Sequence, residues 1–561
     1  MKYAKLILFL SIIFSAGLLS NCANVGAPMG GPKDTLAPNL VRTLPTNKSL
    51  NYQGLTVELV FDEFIKIENL KKQLIITPRV EAEYEYKVIK NRVEIEFAEK
   101  LEENTTYTLN FRDAVKDITE GNQASNLVLV FSTGSYLDSM EVKGKVTALM
   151  DGSKQKNVVV ALYQKDDTVD IFKAAPKYFT KTDTAGTYHL QNIKNGNYKI
   201  YAFEDVNDNA MCESQYEAYG FKSDPFKLDS IVYRDLVLYN ADIRELKLNN
   251  TSNYGPYFEA KYNKYITSYN IESNTLIYNN LYDKNSVIRF YNTQQNFTDS
   301  TLTYLYVTDS IGQTRIDTTY VKFKESKMTA DEFKINTTLP ERSEVDEKFS
   351  AEIRLNKPMT SYNADSIFIR YDSLVQDYFF NQDKITINDN KTIIQFEISI
   401  DKAKLKIDTT SVKDRMGNII KREPNEQIYM STFDIYFGKG AFISIEGDSA
   451  KPIKKSYKLK NPANTGSIKG KVLIPYSSYT VQLLDKNQKI LQEVKDIKEY
   501  NFTNLTGGLD YYLRILIDVN ENGTWELGNI LENRESEPVL VYPNKIPLRA
   551  GWEVINNDIT M

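Results

Sequence analysis

Two kinds of segment each occur more than once in this chain, and such repeats restrict the fold to a series of similar modules. In the first kind, Lys261-Tyr-Asn-Lys-Tyr-Ile-Thr-Ser-Tyr-Asn270 matches Arg354-Leu-Asn-Lys-Pro-Met-Thr-Ser-Tyr-Asn363, and Leu59-Val-Phe-Asp-Glu-Phe-Ile65 has the same flavour. Farther along, Val115-Lys-Asp-Ile-Thr-Glu-Gly-Asn122 has a counterpart in Val412-Lys-Asp-Arg-Met-Gly-Asn418. The second kind pairs Val142-Lys-Gly-Lys-Val146 with Ile468-Lys-Gly-Lys-Val472. It also pairs Asp205-Val-Asn-Asp-Asn209 with Asp518-Val-Asn-Glu-Asn522, each preceded by an apolar run. Between these landmarks Thr, Val, Ile and Tyr alternate with polar residues in many short runs, the pattern of half-buried strands. Short strands separated by turn residues predict sandwiches of about 80 to 100 residues. The expected fold class is therefore all-β, a tandem array of β-sandwich domains.

The 561 residues suffice for four or five such domains. Formal net charge is −5 with both signs scattered, so no basic face is expected and nucleic acid is not an expected partner. The chain has two cysteines, Cys22 and Cys212, and one histidine, His189.

The first kind of repeat resembles the bacterial Ig-like domains typified by surface-layer proteins, over residues 37–135, 331–437 and, more weakly, 250–330. In that family the Asp and Gly-Asn of Val412–Asn418 form a tight turn and carry no chemistry. The second kind resembles prealbumin-like, carboxypeptidase-regulatory-like modules, over residues 138–248 and 440–561. Thr182-Asp-Thr-Ala-Gly-Thr-Tyr-His-Leu190 fits the hairpin of such a module.

Residues 1–21 read as a signal peptide: a basic head, an apolar stretch from Leu6 to Leu19, and Ser20-Asn21 before Cys22. With its cysteine at the cut, the segment resembles the lipobox of a bacterial lipoprotein, with Asn21 where Gly or Ala is usual. The resemblance implies acyl chains on Cys22, each contributing about 0.8 kcal/mol per buried CH2 to membrane binding. No other apolar run approaches membrane-spanning length, so the lipid is the expected anchor. Residues 22–36 form a Gly/Pro-rich tether. Its Pro28-Met-Gly-Gly-Pro-Lys-Asp34 resembles a phrase that recurs in Bacteroidota lipoproteins with this domain order. That makes Pro28, Gly30, Gly31, Pro32, Lys33 and Asp34 candidate docking residues, weighed against a plain spacer. Either face of the outer membrane is open to the body.

The sharpest chemical motif is Asp518-Val-Asn520-Glu-Asn522-Gly-Thr524-Trp-Glu526. Alternating Asp and Asn oxygens before a turn-making Gly suit a calcium loop. Asp518, Asn520, Asn522 and Glu526 would supply side-chain oxygens and Thr524 a carbonyl, although Asn529 stands where an EF-hand has Glu. The alternative is an ion-free corner closed by Asx turns. The first copy has Ala210 in place of Gly, with Glu213 as a further ligand candidate. Cys212 lacks a basic neighbour that would activate it and is expected to be buried and inert. His189 sits in an expected strand, and neither a Gly-x-Ser-x-Gly elbow nor a second His accompanies it. No acidic pair stands out, and no enzymatic activity is expected. Asp-Ser or Asp-Thr phrases at Asp138, Asp183, Asp309, Asp365 and Asp408 resemble O-glycosylation sequons of Bacteroidota surface proteins.

The resemblances together imply an outer-membrane lipoprotein acting as a non-enzymatic scaffold or accessory subunit. The expected partner is an integral β-barrel protein, in a machine for β-barrel assembly or surface lipoprotein export. The alternative is a surface glycan binder or adhesin, for which two tryptophans, Trp525 and Trp552, make a poor aromatic platform.

Overall fold

The computed structural model describes residues 33–275, 277–282, 284–292, 300–324, 331–339, 344–371, 376–380, 384–405, 412–413, 419–420 and 432–561. Cys22, Pro28, Gly30, Gly31, Pro32, Asp408, Asp414, Gly417 and Asn418 lie outside them. The chain is nearly all-β, with 50% strand and 3% helix. None of the helices among the described residues is long and apolar enough to cross a membrane. The chain divides into two compact units. The first is Met1–Met140 with Lys177–Phe179 and Gln191–Lys194, and the second comprises the remainder.

In the first unit a four-stranded sheet runs Leu40–Leu44, Thr56–Phe61, Arg92–Phe97, Tyr84–Ile89. A second sheet holds Ile75–Thr77, Thr106–Asn110 and Val128–Ser132. Strict alternation in Thr-Val-Glu-Leu-Val-Phe puts Val57, Leu59 and Phe61 inside against Leu109, Leu129 and Phe131. A period of two buries every second side chain, which suits a sheet wet on one face.

The second unit holds four sandwiches, and the repeated phrases explain themselves there. In the Ig-like pair, Asn263 and Asn356 clamp the strand that opens their module. Asn263 accepts from Lys247 N–H (2.9 Å) and donates to the Glu245 carbonyl (2.9 Å). Asn356 does the same with Lys334 (2.7 Å) and Glu332 (2.9 Å). The lysine after each is buried on acid: Lys264 on Asp309, Lys357 on Glu446 (2.5 Å) and Asp448 (3.2 Å). Three residues farther on, the hydroxyls of Thr267 and Thr360 donate to the facing strand at Asp309 and Ser444 (2.8 and 3.2 Å).

The two modules that carry the Lys-Gly-Lys phrase share a second device. Met140–Ala148 and Thr465–Leu473 each pair in parallel with late strands of their own module. Between those late strands a carbonyl presses onto the glycine of Lys-Gly-Lys. A Cβ on Gly144 would lie 1.9 Å from the Arg234 oxygen, and one on Gly470 would lie 2.4 Å from the Asn557 oxygen. The same carbonyls accept from the hydroxyls of Tyr188 (2.6 Å) and Tyr500 (2.5 Å). The following residues, Asp235 and Asp558, take the N–H of Lys145 and Lys471 (2.8 and 2.9 Å). Only Gly permits that approach.

Two sequence-based boundaries shift. Phe442–Ser444 pairs with Met359–Tyr362, and Ile453–Leu459 pairs antiparallel with Phe433–Phe437. Phe442, Tyr457 and Leu459 lie in one core with Phe433 and Phe396. The third Ig-like module therefore reaches Leu459 rather than residue 437, and the last module begins near Thr465 rather than at 440. The alternating pattern of these strands fits either module, and the antiparallel register on Phe433–Phe437 decides between them.

The last module also packs back onto earlier ones. Arg514, 7% exposed, donates to Gln482 (2.7 Å) within its own sheet and to the Met150 carbonyl of the first Lys-Gly-Lys module (3.3 Å). Glu535 accepts from Ser223, Asn533 donates to the Ser223 carbonyl (3.0 Å), and Asn529 donates to the Ile311 carbonyl (3.3 Å).

Candidate functional site

The two Asp-Val-Asn corners follow the central strands Gly196–Phe203 and Leu509–Ile517. In the last module Asp518 accepts from the backbone of Asn522 (3.2 Å) and Gly523 (2.8 Å) and from the Ser478 hydroxyl (2.9 Å). Burial would raise the Asp518 carboxyl, but these donors outweigh it and hold the group below the usual range. The Asn520 oxygen accepts from Asn522 N–H (3.0 Å), and the Asn522 oxygen from Thr524 N–H (2.9 Å). Asn520 also donates to Glu526 (3.1 Å). The five residues expected to hold calcium are thus brought together, with their side-chain oxygens turned onto backbone donors and each other.

Composition pointed to neither Glu537 nor Glu217, yet each closes its corner. Glu537, 8% exposed, accepts from Val519 N–H (2.8 Å) and Glu526 N–H (2.7 Å). Glu217, fully buried, accepts from Val206 N–H (2.8 Å) and Glu213 N–H (2.7 Å). Their distances from the preceding valines differ, 18 and 11 residues, so the repeat is not visible by spacing.

The first corner is the more acidic. Asp205 accepts from Asn209 N–H (2.9 Å), and Glu213 from the Asn209 amide (2.7 Å). Burial, with the neighbouring Glu213 carboxylate, pushes Glu217 up to about 7 despite its two backbone donors. Asp205 is raised too, chiefly by burial. Among the described residues, no group of three or more His, Cys, Asp or Glu side chains is arranged to hold a metal ion.

The remaining candidates have structural surroundings. Cys212 is buried, and burial together with the Glu217 and Glu213 carboxylates drives its thiol pKa up, away from the reactive thiolate. His189 Nε2 lies 2.9 Å from Glu141, which also pairs with Lys143 (2.7 Å). Trp525 donates to the Glu537 carbonyl (3.2 Å), while Trp552 is 55% exposed beneath Arg549. Of the tether phrase, Lys33 lies 3.7 Å from Glu120, and the Asp34 carbonyl accepts from Asn122 (3.0 Å). Both contacts fall on the turn closed by Asp117, which accepts from Glu120, Gly121 and Asn122 N–H (2.7, 2.8 and 3.0 Å). Burial opposes ionisation of Asp117, yet those amides bring it down to about 2. In the glycosylation-like phrases, Ser139, Thr184 and Ser310 are exposed and Ser366 is half-buried.

The bacterial Ig-like domain family matches residues 34–133. No curated protein matches the chain. Solved structures similar to it include the TIE protein of Bacillus anthracis, at 11% identity and TM-score 0.12, covering 95% of this chain and 76% of that one. The S-layer protein rSbsC is similar at 12% identity and TM-score 0.13, over 92% and 68% of the two chains. A streptococcal ancillary pilin is similar at 12% identity and TM-score 0.14, over 44% and 79%.

Proposed function

We propose that this protein is a non-enzymatic scaffold, anchored to the outer membrane by a lipid on Cys22. Its body serves as an accessory subunit to an integral β-barrel protein, in a machine for β-barrel assembly or surface lipoprotein export. The observation that carries this reading is the use of buried charge to lock module to module. Arg289, 4% exposed, lies between the rings of Tyr257 and Tyr282 in the second Ig-like module. It pairs with Glu259 (2.6 Å) and, in the third, with Asp331 (2.7 Å). Burial opposes its charge, but the two carboxylates raise its pKa further. A buried guanidinium satisfied on both sides fixes the angle between two domains, which serves a rigid spacer. O-linked glycans on exposed Asp-Ser and Asp-Thr turns belong to the same proposal.

The test is affinity purification of the tagged protein from outer membranes in mild detergent, followed by mass spectrometry. Stoichiometric recovery of an integral barrel supports the scaffold reading, and recovery of the protein alone overturns it. Cys22→Ala is expected to release the body into the soluble fraction; unchanged membrane association would remove the lipid anchor from the proposal.

A further inference from the structure

Between the second and third Ig-like modules lies a cleft of about 240 Å3, lined by residues of both. Its walls are pre-set. On one side the Asn280 amide donates to the Asn356 carbonyl (3.1 Å). Across the cleft the Tyr269 hydroxyl accepts from Asn390 (2.8 Å) and donates to Asn279 (2.9 Å). A site whose walls are already fixed loses little freedom when a ligand enters.

The lining selects a ligand class. Its recognising side chains are the amides of Asn285 and Asn390, each of which spends one N–H inside the protein, on Tyr265 and Tyr269; the Tyr269 hydroxyl and the Asn388 amide are taken up by Asn279, Asn390, Thr392 and Ile393. No carboxylate lines it, which excludes a divalent cation. Its one charged group, Arg354, is already paired with Glu352, which disfavours a polyanion. Amides and hydroxyls both donate and accept, as the hydroxyls of a sugar require. Leu281 and Ile393 supply apolar surface for the C–H face of a ring. The volume lies below the range of drug-sized pockets, so one ring fits rather than a long chain. We infer that this cleft binds a neutral saccharide, one ring at a time, at a chain end or branch. This activity goes beyond the scaffold role and does not depend on it.

Full-length protein without residues 1–21 is applied to an array of neutral, sialylated and sulfated glycans. The strongest neutral ligand is then titrated by calorimetry. Saturable binding to neutral glycans is expected, weakened about five- to tenfold by Asn390→Ala and by Asn285→Gly. Asn285 has a φ of 56°, which glycine adopts without strain, and its side chain is bonded to the half-exposed Tyr265 hydroxyl (2.9 Å), so Asn285→Gly removes the amide and keeps the turn. Absence of neutral glycan binding, preference for sulfated or sialylated ligands, or an affinity unchanged from the parent in both variants would each overturn the inference.

Discussion

Glu535 and Ser223 stand 312 positions apart, and the Glu535 carboxylate accepts both the N–H (2.9 Å) and the hydroxyl (3.0 Å) of Ser223. Its other oxygen lies 3.0 Å from Lys222 Nζ. One side chain thus ties the last module to the first Lys-Gly-Lys module. Glu535→Ala is expected to cost about 1–2 kcal/mol at this contact. Hydrogen exchange should show faster amides at Ser223 and in residues 529–535, with the core strand Leu509–Ile517 unchanged. Uniform protection in the variant would show that the contact contributes nothing.

Lys264 is the buried anchor of the second Ig-like module, bonded to the carbonyls of Asp242 (3.0 Å) and Arg244 (2.5 Å) and paired with Asp309. Removing one member leaves the other charge buried alone. Lys264→Ala is expected to destabilise this module by about 3–5 kcal/mol, and Lys264→Met with Asp309→Asn to recover much of it. Denaturant unfolding followed by hydrogen exchange on residues 257–321 reads both. A single variant as stable as the parent would contradict the assignment.

Gly144→Ala and Gly470→Ala place a methyl on a backbone carbonyl that a tyrosine hydroxyl already holds in position. Overpacking of this kind costs about 1–3 kcal/mol or more. Each variant should melt its own module earlier in calorimetry. Tyr500→Phe, which keeps the close approach and loses one hydrogen bond, is expected to cost only about 1 kcal/mol.

Glu217 predicts a pH response with a defined sign. Its folded pKa, about 7, lies above the ordinary value of 4.5, so the folded chain holds the proton more tightly than the unfolded one. This contribution to stability is fully present below about 4.5 and is lost as pH rises through 7, at about 1.4 kcal/mol per unit of pKa difference. The module that holds Glu217 should melt higher at pH 5.5 than at pH 8, and Glu217→Gln should flatten that dependence. Asp117 has the opposite sign: its depressed pKa stabilises the first Ig-like module above the ordinary 3.8, an effect lost as pH falls through 2.

The corner at Asp518 is built to stand on its own hydrogen bonds. We expect calcium to leave the melting temperature of the full chain unchanged and Asp518→Ala to lower it equally with and without the ion. A calcium-dependent rise that Asp518→Ala abolishes would establish the ion-binding alternative.

Much of the fold is legible in the sequence because strand periodicity and turn chemistry are local. Alternation of Thr, Val, Ile and Tyr with polar residues announced short half-buried strands, and Lys-Gly-Lys marked a glycine used twice. The corner at Asp518–Glu526 was also legible, since its donors and acceptors lie within a few residues of one another. The carboxylates that close the corners were not. Glu217 and Glu537 come from beyond loops of unequal length, and only folding brings them to Val206 and Val519. The identical Asn and Lys of the first repeat were in view, but their partners Asp309, Glu446 and Asp448 carry no matching signal.

The sequence by itself determined that this is an all-β chain of repeated sandwiches, because a period of two records which face of each strand is buried. Only the tertiary structure decided which strand pairs with which. It assigned Ile453–Leu459 to the third Ig-like module, brought Glu535 to Ser223, and opened an amide-lined cleft beside Asn390 and Tyr269. The physical reason is that an alternating strand satisfies any edge of matching register. The choice among edges rests on side chains far apart in the chain, whose energies exist only once the backbone has brought them together.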